Sequence, residues 1–271
     1  MKLGIVGYGV VGSAMARLFR AVHDVFIFDK FLPSFSDAAR KHAINDCDLA
    51  FLSVPTPVAP DGFSCDLSAV EECVQWIRSP LCIRSTVVPG TTDRLGALTN
   101  KSIAFSPVYI GESADHPWRD EGQCGFLIVG GSSELRDSVF SAYRDCLASK
   151  IHFYSTTART AEICKYMENC FLATKVAFVN QFFDIATALD VDFEELRKLW
   201  LLDSRVGPSH TIVTPERGFR GRCLPKDLAA LIATMRSSGG TPLLEAVHSY
   251  NSRLCGEVDL THMASAGQPR A

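Results

Sequence analysis

The sequence predicts an α/β protein in which a doubly wound, mainly parallel sheet is followed by an all-helical domain. Short apolar runs alternate with helical patterns over residues 1 to 156, which is the signature of parallel strands joined by crossover helices. A glycine turn, GYGVVG, stands between the first run and the first helix. From about residue 157 the strands disappear and long apolar-periodic segments replace them.

Apolar runs near residues 3 to 6, 25 to 28, 49 to 54, 81 to 86, 103 to 105 and 126 to 130 read as strands. Helical patterns near 11 to 21, 67 to 77, 92 to 98 and 133 to 146 lie between them. IHFY at 151 to 154 supplies a further strand that closes a first domain, taken as 1 to 156. Residues 158 to 189 hold an apolar period without Gly or Pro and predict a helix of about 45 Å, at ~1.5 Å per residue. A helix over 193 to 202, an irregular stretch over 203 to 222 and helices near 226 to 237 and 242 to 255 complete a second domain, 157 to 256. The small, polar segment 257 to 271 is expected to be a disordered tail.

Composition narrows the class. The 271 residues are 47% hydrophobic, enough for a sizeable core, and the net charge of −3 gives no general attraction to nucleic acid or to an anionic membrane. Apolar runs all fall short of the roughly 20 residues that span a bilayer, and MKLGIVGYG reads as a buried strand rather than a leader. The ten cysteines are scattered without CxxC pairs or metal-ligand spacing, which points to a reducing, cytoplasmic compartment and to no metal centre. Cys47, Cys73, Cys146, Cys164 and Cys170 read as small buried hydrophobes.

Gly7, Gly9 and Gly12, with Tyr8, Val10 and Val11 between them, follow a strand and open a helix, and Asp29 ends the next strand. That is the setting of a Rossmann dinucleotide site. The first two glycines allow the tight turn and close approach of pyrophosphate, the third allows helix to pack on strand, and the acid receives the adenosine ribose hydroxyls. Asp29 repels a 2′-phosphate and so favours NAD over NADP, while Lys30 beside it is a base that could partly accept one. Two later strands end in SVPTP and RSTVVPG, so Pro55, Thr56, Ser85 and Thr86 are candidates to line the nicotinamide half.

The chemistry concentrates in GFRGRCLPKD, residues 218 to 227. A thiol attacks as thiolate, a form favoured by the cations Arg220, Arg222 and Lys226 around Cys223 and by a helix N-terminus. Pro225 suits the first turn of the helical DLAALIATM run that follows. On the long helix, Glu162, Lys165 and Asn169 share one face by their spacing. A lysine and an amide pointing the same way could stabilise a developing oxyanion, whereas Glu162 and Lys165 alone would read as a solvated ion pair.

Through GYGVVG, VPTP, DGFSCDLSAVE, RSTVVPGT, SPVYIGES, AEICKYMEN, FLATKVAFVNQ, DSRVG and GFRGRCLPKD, in that order, the chain resembles the UDP-glucose/GDP-mannose dehydrogenase family from residue 1 to about 250. The resemblance implies an NAD-dependent enzyme that oxidises a primary alcohol of a nucleotide sugar to a carboxylate in two hydride transfers, through a thiohemiacetal and a thioester on Cys223. It implies that Lys165 and Asn169 stabilise the oxygen at the reacting carbon, that Asp227 and Thr86 position water or relay protons, and that Glu112 is the acid near the nicotinamide. Lys226 falls in the cofactor set. Tyr109, Ile110, Gly218, Phe219, Arg220, Gly221 and Arg222 fall in the substrate set, and Arg205 matches an arginine that reaches substrate across a dimer interface. The long helix resembles the family's dimer core, so a homodimer is expected.

Three departures bear on substrate. The family normally continues into a second Rossmann-like domain that closes over the nucleotide. Val108 stands where it has a glutamate associated with thioester hydrolysis, and its GFGGSC becomes GFRGRC. A cluster of Arg205, Arg217, Arg220 and Arg222 could replace lost anion contacts, with a smaller sugar phosphate or nucleoside as substrate. Two other functions fit parts of the pattern: a two-electron dehydrogenase of the β-hydroxyacid type, which has no need of Cys223, and a non-catalytic NAD or nucleotide sensor.

Overall fold

The structure, a computed structural model, describes residues 1–111, 116–147 and 151–256. Seven strands form one sheet: β1 (Lys2–Val6), β2 (Asp24–Phe28), β3 (Leu49–Leu52), β4 (Leu81–Ile83), β5 (Ile103–Phe105), β6 (Phe126–Gly130) and β7 (His152–Thr156). Their order is β2-β1-β3-β4-β5-β6-β7. Neighbours pair in parallel except β5 and β6, whose Phe105 and Gly130 meet antiparallel. The chain leaves β1 toward β2 on one side and returns to β3 on the other, so the ends of β1 and β3 flank a topological switch point, where open α/β sheets bind ligands.

The helices are α1 (Val10–Phe19), α2 (Ala38–Asn45), α3 (Ser68–Trp76), α4 (Thr91–Thr99), α5 (Ser133–Leu147), α6 (Ala158–Ala188), α7 (Phe193–Trp200), α8 (Leu224–Met235) and α9 (Pro242–Cys255). Strand periodicity sorts the core. Leu3, Ile5, Leu49 and Phe51 join Met15, Phe19 and Tyr143 in one apolar cluster. Val6, Ala50 and Leu52 turn the other way, into a cluster with Val74, Leu95 and Ala161. The central strands β3, β4 and β5 are buried throughout, which explains their unbroken apolar runs.

The chain divides into two units. Among the described residues, the first contains Met1–Pro57 and Asp66–Lys165; the second contains Val58–Cys65 and the residues from Tyr166 to 256. In the second, Cys170, Ala173 and Val176 of α6 pack with Phe219, with Leu228 and Ile232 of α8 and with Val247 of α9. The short Val58–Cys65 segment is closed by an antiparallel bridge between its ends, and the Arg236 guanidinium stands 4.7 Å from the centre of the Phe63 ring.

One helix and two cysteines depart from the sequence reading. Helix α2 carries almost no apolar signal because only Ile44 of its eight residues is buried; Asp37 starts it by accepting the Arg40 N–H. Cys164 is exposed rather than a small buried hydrophobe, and Cys146 is half-buried, whereas Cys47, Cys73 and Cys170 are buried. The expected disordered tail, 257 to 271, lies outside the described residues. Among the described residues, no helix is long and apolar enough to cross a membrane.

Candidate active site

The turn after β1 is built around absent side chains. Gly7 has φ +89° and donates its N–H to Phe28 O at 2.9 Å, and a Cβ there would meet the Ser53 carbonyl oxygen at 2.5 Å. A Cβ on Gly12 would strike the Gly7 carbonyl, so the third glycine lets α1 come down onto the turn. A Cβ on Gly9, the N-cap of α1, would meet nothing within 4 Å, which leaves its backbone open to an approaching group. The first turn of α1 itself carries no acidic residue. This open backbone at a helix N-terminus suits a pyrophosphate.

Asp29 is held beside that turn. One carboxylate oxygen accepts Tyr8 N–H at 2.7 Å and the other Phe31 N–H at 2.9 Å, so its orientation is set before any ligand arrives. Lys30, by contrast, is turned to Glu72 at 2.8 Å on the exposed surface, and this pairing occupies the base that stood beside the acid in the sequence. Val10 is exposed and Val11 half-buried at the start of α1.

The ends of β3 and β4 are stitched together by their hydroxyls. Thr56 donates to Thr86 O at 2.8 Å and Ser85 donates to Val54 O at 2.7 Å; Pro55 between them is exposed. Thr86 is half-buried. Behind Ser85 lies a polar centre that the sequence reading missed. Buried Arg84 donates to both oxygens of buried Glu121, at 2.6 and 2.7 Å, and to Ser106 Oγ at 2.6 Å, while Tyr143 O–H donates to Glu121 at 2.9 Å. Burial opposes the Arg84 charge, and Glu121 more than restores it, so the guanidinium stays above its ordinary range. Burial likewise raises the Tyr143 phenol.

Glu162 is not the solvated partner of Lys165 that helical spacing suggested. It is fully buried, and its carboxylate accepts Gly90 N–H at 2.6 Å, Thr92 N–H at 2.9 Å and Thr92 O–H at 2.6 Å. Burial pushes its pKa up against these three donors. Lys165 places Nζ 4.8 Å from the centre of the Tyr109 ring, and Tyr109 O–H lies 3.7 Å from Cys164 Sγ. Tyr109 and Val108 are buried and Ile110 is half-buried. Glu112 lies outside the described residues.

In the second unit, Cys223 is the N-cap of α8, and its side chain is exposed. Its carbonyl accepts Asp227 N–H at 2.9 Å, and Pro225 sits in the first turn. Asp227 is buried; one oxygen accepts Lys226 Nζ at 2.5 Å and the other Asn169 Nδ2 at 2.5 Å. The structure thus joins Asn169 to the adjacent pair Lys226 and Asp227, 58 residues further along the chain.

Neighbouring helices hold the loop before Cys223. Asn251 accepts Phe219 N–H at 2.7 Å and returns a bond to Phe219 O at 3.0 Å, and Asn180 accepts Gly218 N–H at 3.2 Å. Gly218 and Gly221 have φ +66° and +87°, backbone that favours glycine. Both asparagines sit on apolar-periodic helices, and their only sequence signal is a polar residue on a buried face.

Two of the four arginines read as an anion cluster are paired with acids. Arg217 is spent within the unit, on Asp184 at 2.6 Å and Asn180 at 2.7 Å. Arg205 folds back on Asp203 at 2.6 Å, two residues away, because a fork that close to a carboxylate closes locally. Arg220 and Arg222 stay exposed on either side of Gly221; Arg220 reaches Glu216 O at 3.2 Å. Lys175 pins the same irregular stretch by donating to Val206 O and Gly207 O, at 3.0 and 2.8 Å.

Comparison with known proteins matches two family models in chain order. Residues 33–111 match the NAD binding domain of the UDP-glucose/GDP-mannose dehydrogenase family, and residues 159–253 match its central domain. The chain belongs to this family. The UDP-glucose 6-dehydrogenase of Pseudomonas aeruginosa is 30% identical over 304 residues, covering 93% of this chain and 66% of that protein. A UDP-glucose dehydrogenase from Pyrobaculum islandicum superimposes with a TM-score of 0.81 at 26% identity, over 94% of this chain and 68% of that one. This family member therefore spans about two thirds of the length of these relatives.

NAD is the dehydrogenase's cofactor, and its class is that of NAD-dependent oxidoreductases acting on CH–OH. The open glycine turn and the pre-oriented Asp29 fit that cofactor. A 3-hydroxyisobutyrate dehydrogenase of Mycobacterium tuberculosis shares the fold alone, with a TM-score of 0.66 at 16% identity over 98% of this chain and 99% of that one.

Proposed function

We propose that this dehydrogenase oxidises a primary alcohol of a nucleotide sugar, or of a related sugar or nucleoside, to the carboxylate with Cys223 as covalent nucleophile. The observation that carries the reading is the Asn169–Asp227–Lys226 chain beside the N-cap thiol. The buried Asp227 carboxylate receives an ammonium and an amide donor one turn from the cysteine, an arrangement too costly in desolvation for an ordinary helix start.

Held at Gly7, Gly9, Gly12 and Asp29, NAD would supply the hydride acceptor for each of the two oxidations of the reacting carbon. Between them the Cys223 sulfur adds to the aldehyde carbon while the carbonyl oxygen takes up a proton, giving a thiohemiacetal. Loss of hydride and of that proton leaves a thioester. Water then adds at the carbonyl, the thiol departs and the carboxylate is released. Asn169 has a second amide N–H beyond the one given to Asp227, and with the Lys165 ammonium it serves the oxygen on the reacting carbon. Asp227 and Thr86 hold protons or water for the hydrolytic step. Gly7, Gly9, Gly12 and Asp29 hold the pyrophosphate and ribose. Arg220 and Arg222 suit an anionic part of the substrate. Val108 carries no proton, which makes thioester hydrolysis the slow step.

Met167, Phe171, Phe178 and Phe182 follow helical spacing along α6 with exposed side chains, which supports a homodimer through that helix.

The test is incubation of purified protein with NAD and a panel of nucleotide sugars, sugar phosphates and nucleosides, followed by mass spectrometry. Two NADH per acid and a mass adduct on Cys223 are expected. One NADH per product, with full activity in Cys223→Ala, would replace this reading with a two-electron oxidation.

A further inference from the structure

We propose that Glu162 is a positioning residue that sets the turn of α6 carrying Lys165 against the loop carrying Thr86; this rests on the proposed function of those two residues. Gly90 is the N-cap of α4, with φ +93° and no side chain to satisfy the helix's first donors. Glu162 serves them instead from 70 residues away. A local Asp or Ser would cap the helix without burying a charge, so cap chemistry alone does not account for a fully buried carboxylate. The distant cap adds a fixed link. Gly90 closes the RSTVVPG loop that begins at the end of β4, and Glu162 stands three residues before Lys165.

A second contact locates the same helical turn from the next strand. The loop after β5 brings Tyr109 against Cys164 and under the Lys165 ammonium. The turn from Glu162 to Lys165 is therefore held by the loops that leave two adjacent strands at their C-terminal ends. Each helical residue advances the face by about 100°, so a small slip of this turn would swing the ammonium away from its station.

The test uses the full chain with Glu162→Gln, which keeps the shape but turns an amide N–H toward donors. Steady-state NADH formation on UDP-glucose, NAD binding by calorimetry and hydrogen exchange by mass spectrometry are read together. Expected is a kcat about tenfold lower with NAD affinity within about twofold of the wild type. Exchange should quicken in both 86–92 and 163–166, and the substitution should add less than about twofold to the loss already caused by Lys165→Met. A kcat within about twofold of the wild type, additive losses with Lys165→Met, or unchanged exchange in 163–166 would overturn it. If Glu162→Gln does not fold, Thr92→Val removes one donor and should give the same pattern, about threefold in kcat. Should the wild type reduce no NAD on UDP-glucose, the proposed substrate fails separately, and exchange in 163–166 still decides the role of Glu162.

Discussion

Asn169 of α6 donates its side-chain amide to buried Asp227 of α8 at 2.5 Å, and Asp227 in turn donates its backbone N–H to the carbonyl of Cys223. Asp227 is the common member of both bonds, and its carboxylate also holds Lys226. Asp227→Ala leaves an ammonium and an amide buried without their acceptor, at a cost of about 3 kcal/mol in stability. In a urea melt the midpoint should fall accordingly, and kcat should drop at least about a hundredfold with NAD affinity kept. A variant with near-normal kcat would remove Asp227 from the chemistry.

Thiol reactivity should separate the cysteines. Burial pushes Cys47 and Cys73 up to about 11 and Cys82 and Cys170 up to about 12. A raised pKa shrinks the thiolate fraction at any given pH, so these four should resist iodoacetamide at pH 7.5 and react only after unfolding. The exposed Cys223 and Cys164 should be alkylated first, as peptide mass spectrometry would show, and blocking Cys223 should abolish acid formation.

Much of this was legible because it rests on local patterns. Gly7, Gly9, Gly12 and Asp29 announce the turn by spacing, and α6 and α9 announce themselves by period without a breaker. Pairings between distant segments left no such trace. Glu162 sits at ion-pair spacing from Lys165 yet bonds Gly90 and Thr92, and Arg217 reads as a loop cation yet belongs to Asp184 and Asn180. Arg84, Glu121 and Tyr143 meet only because the sheet brings β4 beside β5 and lays α5 over them. A strand-end arginine and two isolated polar residues carry no pattern.

Asp29 is oriented by two backbone donors, so its loss should affect the cofactor more than the fold. Asp29→Ala should weaken NAD binding about tenfold by calorimetry, the scale of a charged acceptor lost from a ligand hydroxyl. Discrimination against NADP should fall with it, since the repelling charge is gone. Gly12→Ala should behave differently, impairing folding, because the new methyl meets the Gly7 carbonyl.

The apolar stripe on α6 predicts the oligomeric state. Phe171 is 63% exposed and Met167 73%, on neighbouring turns of a 31-residue helix. Phe171→Glu places a charge in the middle of the stripe without touching the core residues Cys170 and Ala173. Sedimentation should show a dimer for the wild type and a monomer for the variant, with the melting midpoint of the monomer lower; a wild-type monomer would refute the homodimer.

Arg84 and Glu121 form a buried pair with side chains 1% and 4% exposed, and their contribution can be divided. Truncating one partner strands the other charge in a place water does not reach, so Glu121→Ala should destabilise by about 3–5 kcal/mol. The double substitution Arg84→Met, Glu121→Leu removes both charges and refills the space. It should recover most of that loss, because the desolvation penalty disappears with the attraction it offset. It should still cost activity, since Arg84 precedes Ser85 and Thr86 and its bond to Ser106 ties the end of β4 to the end of β5. Chemical denaturation of the three proteins, with NADH formation measured alongside, decides the matter. Equal stability loss in the single and double variants would show that the pair is held for its packing rather than its charge.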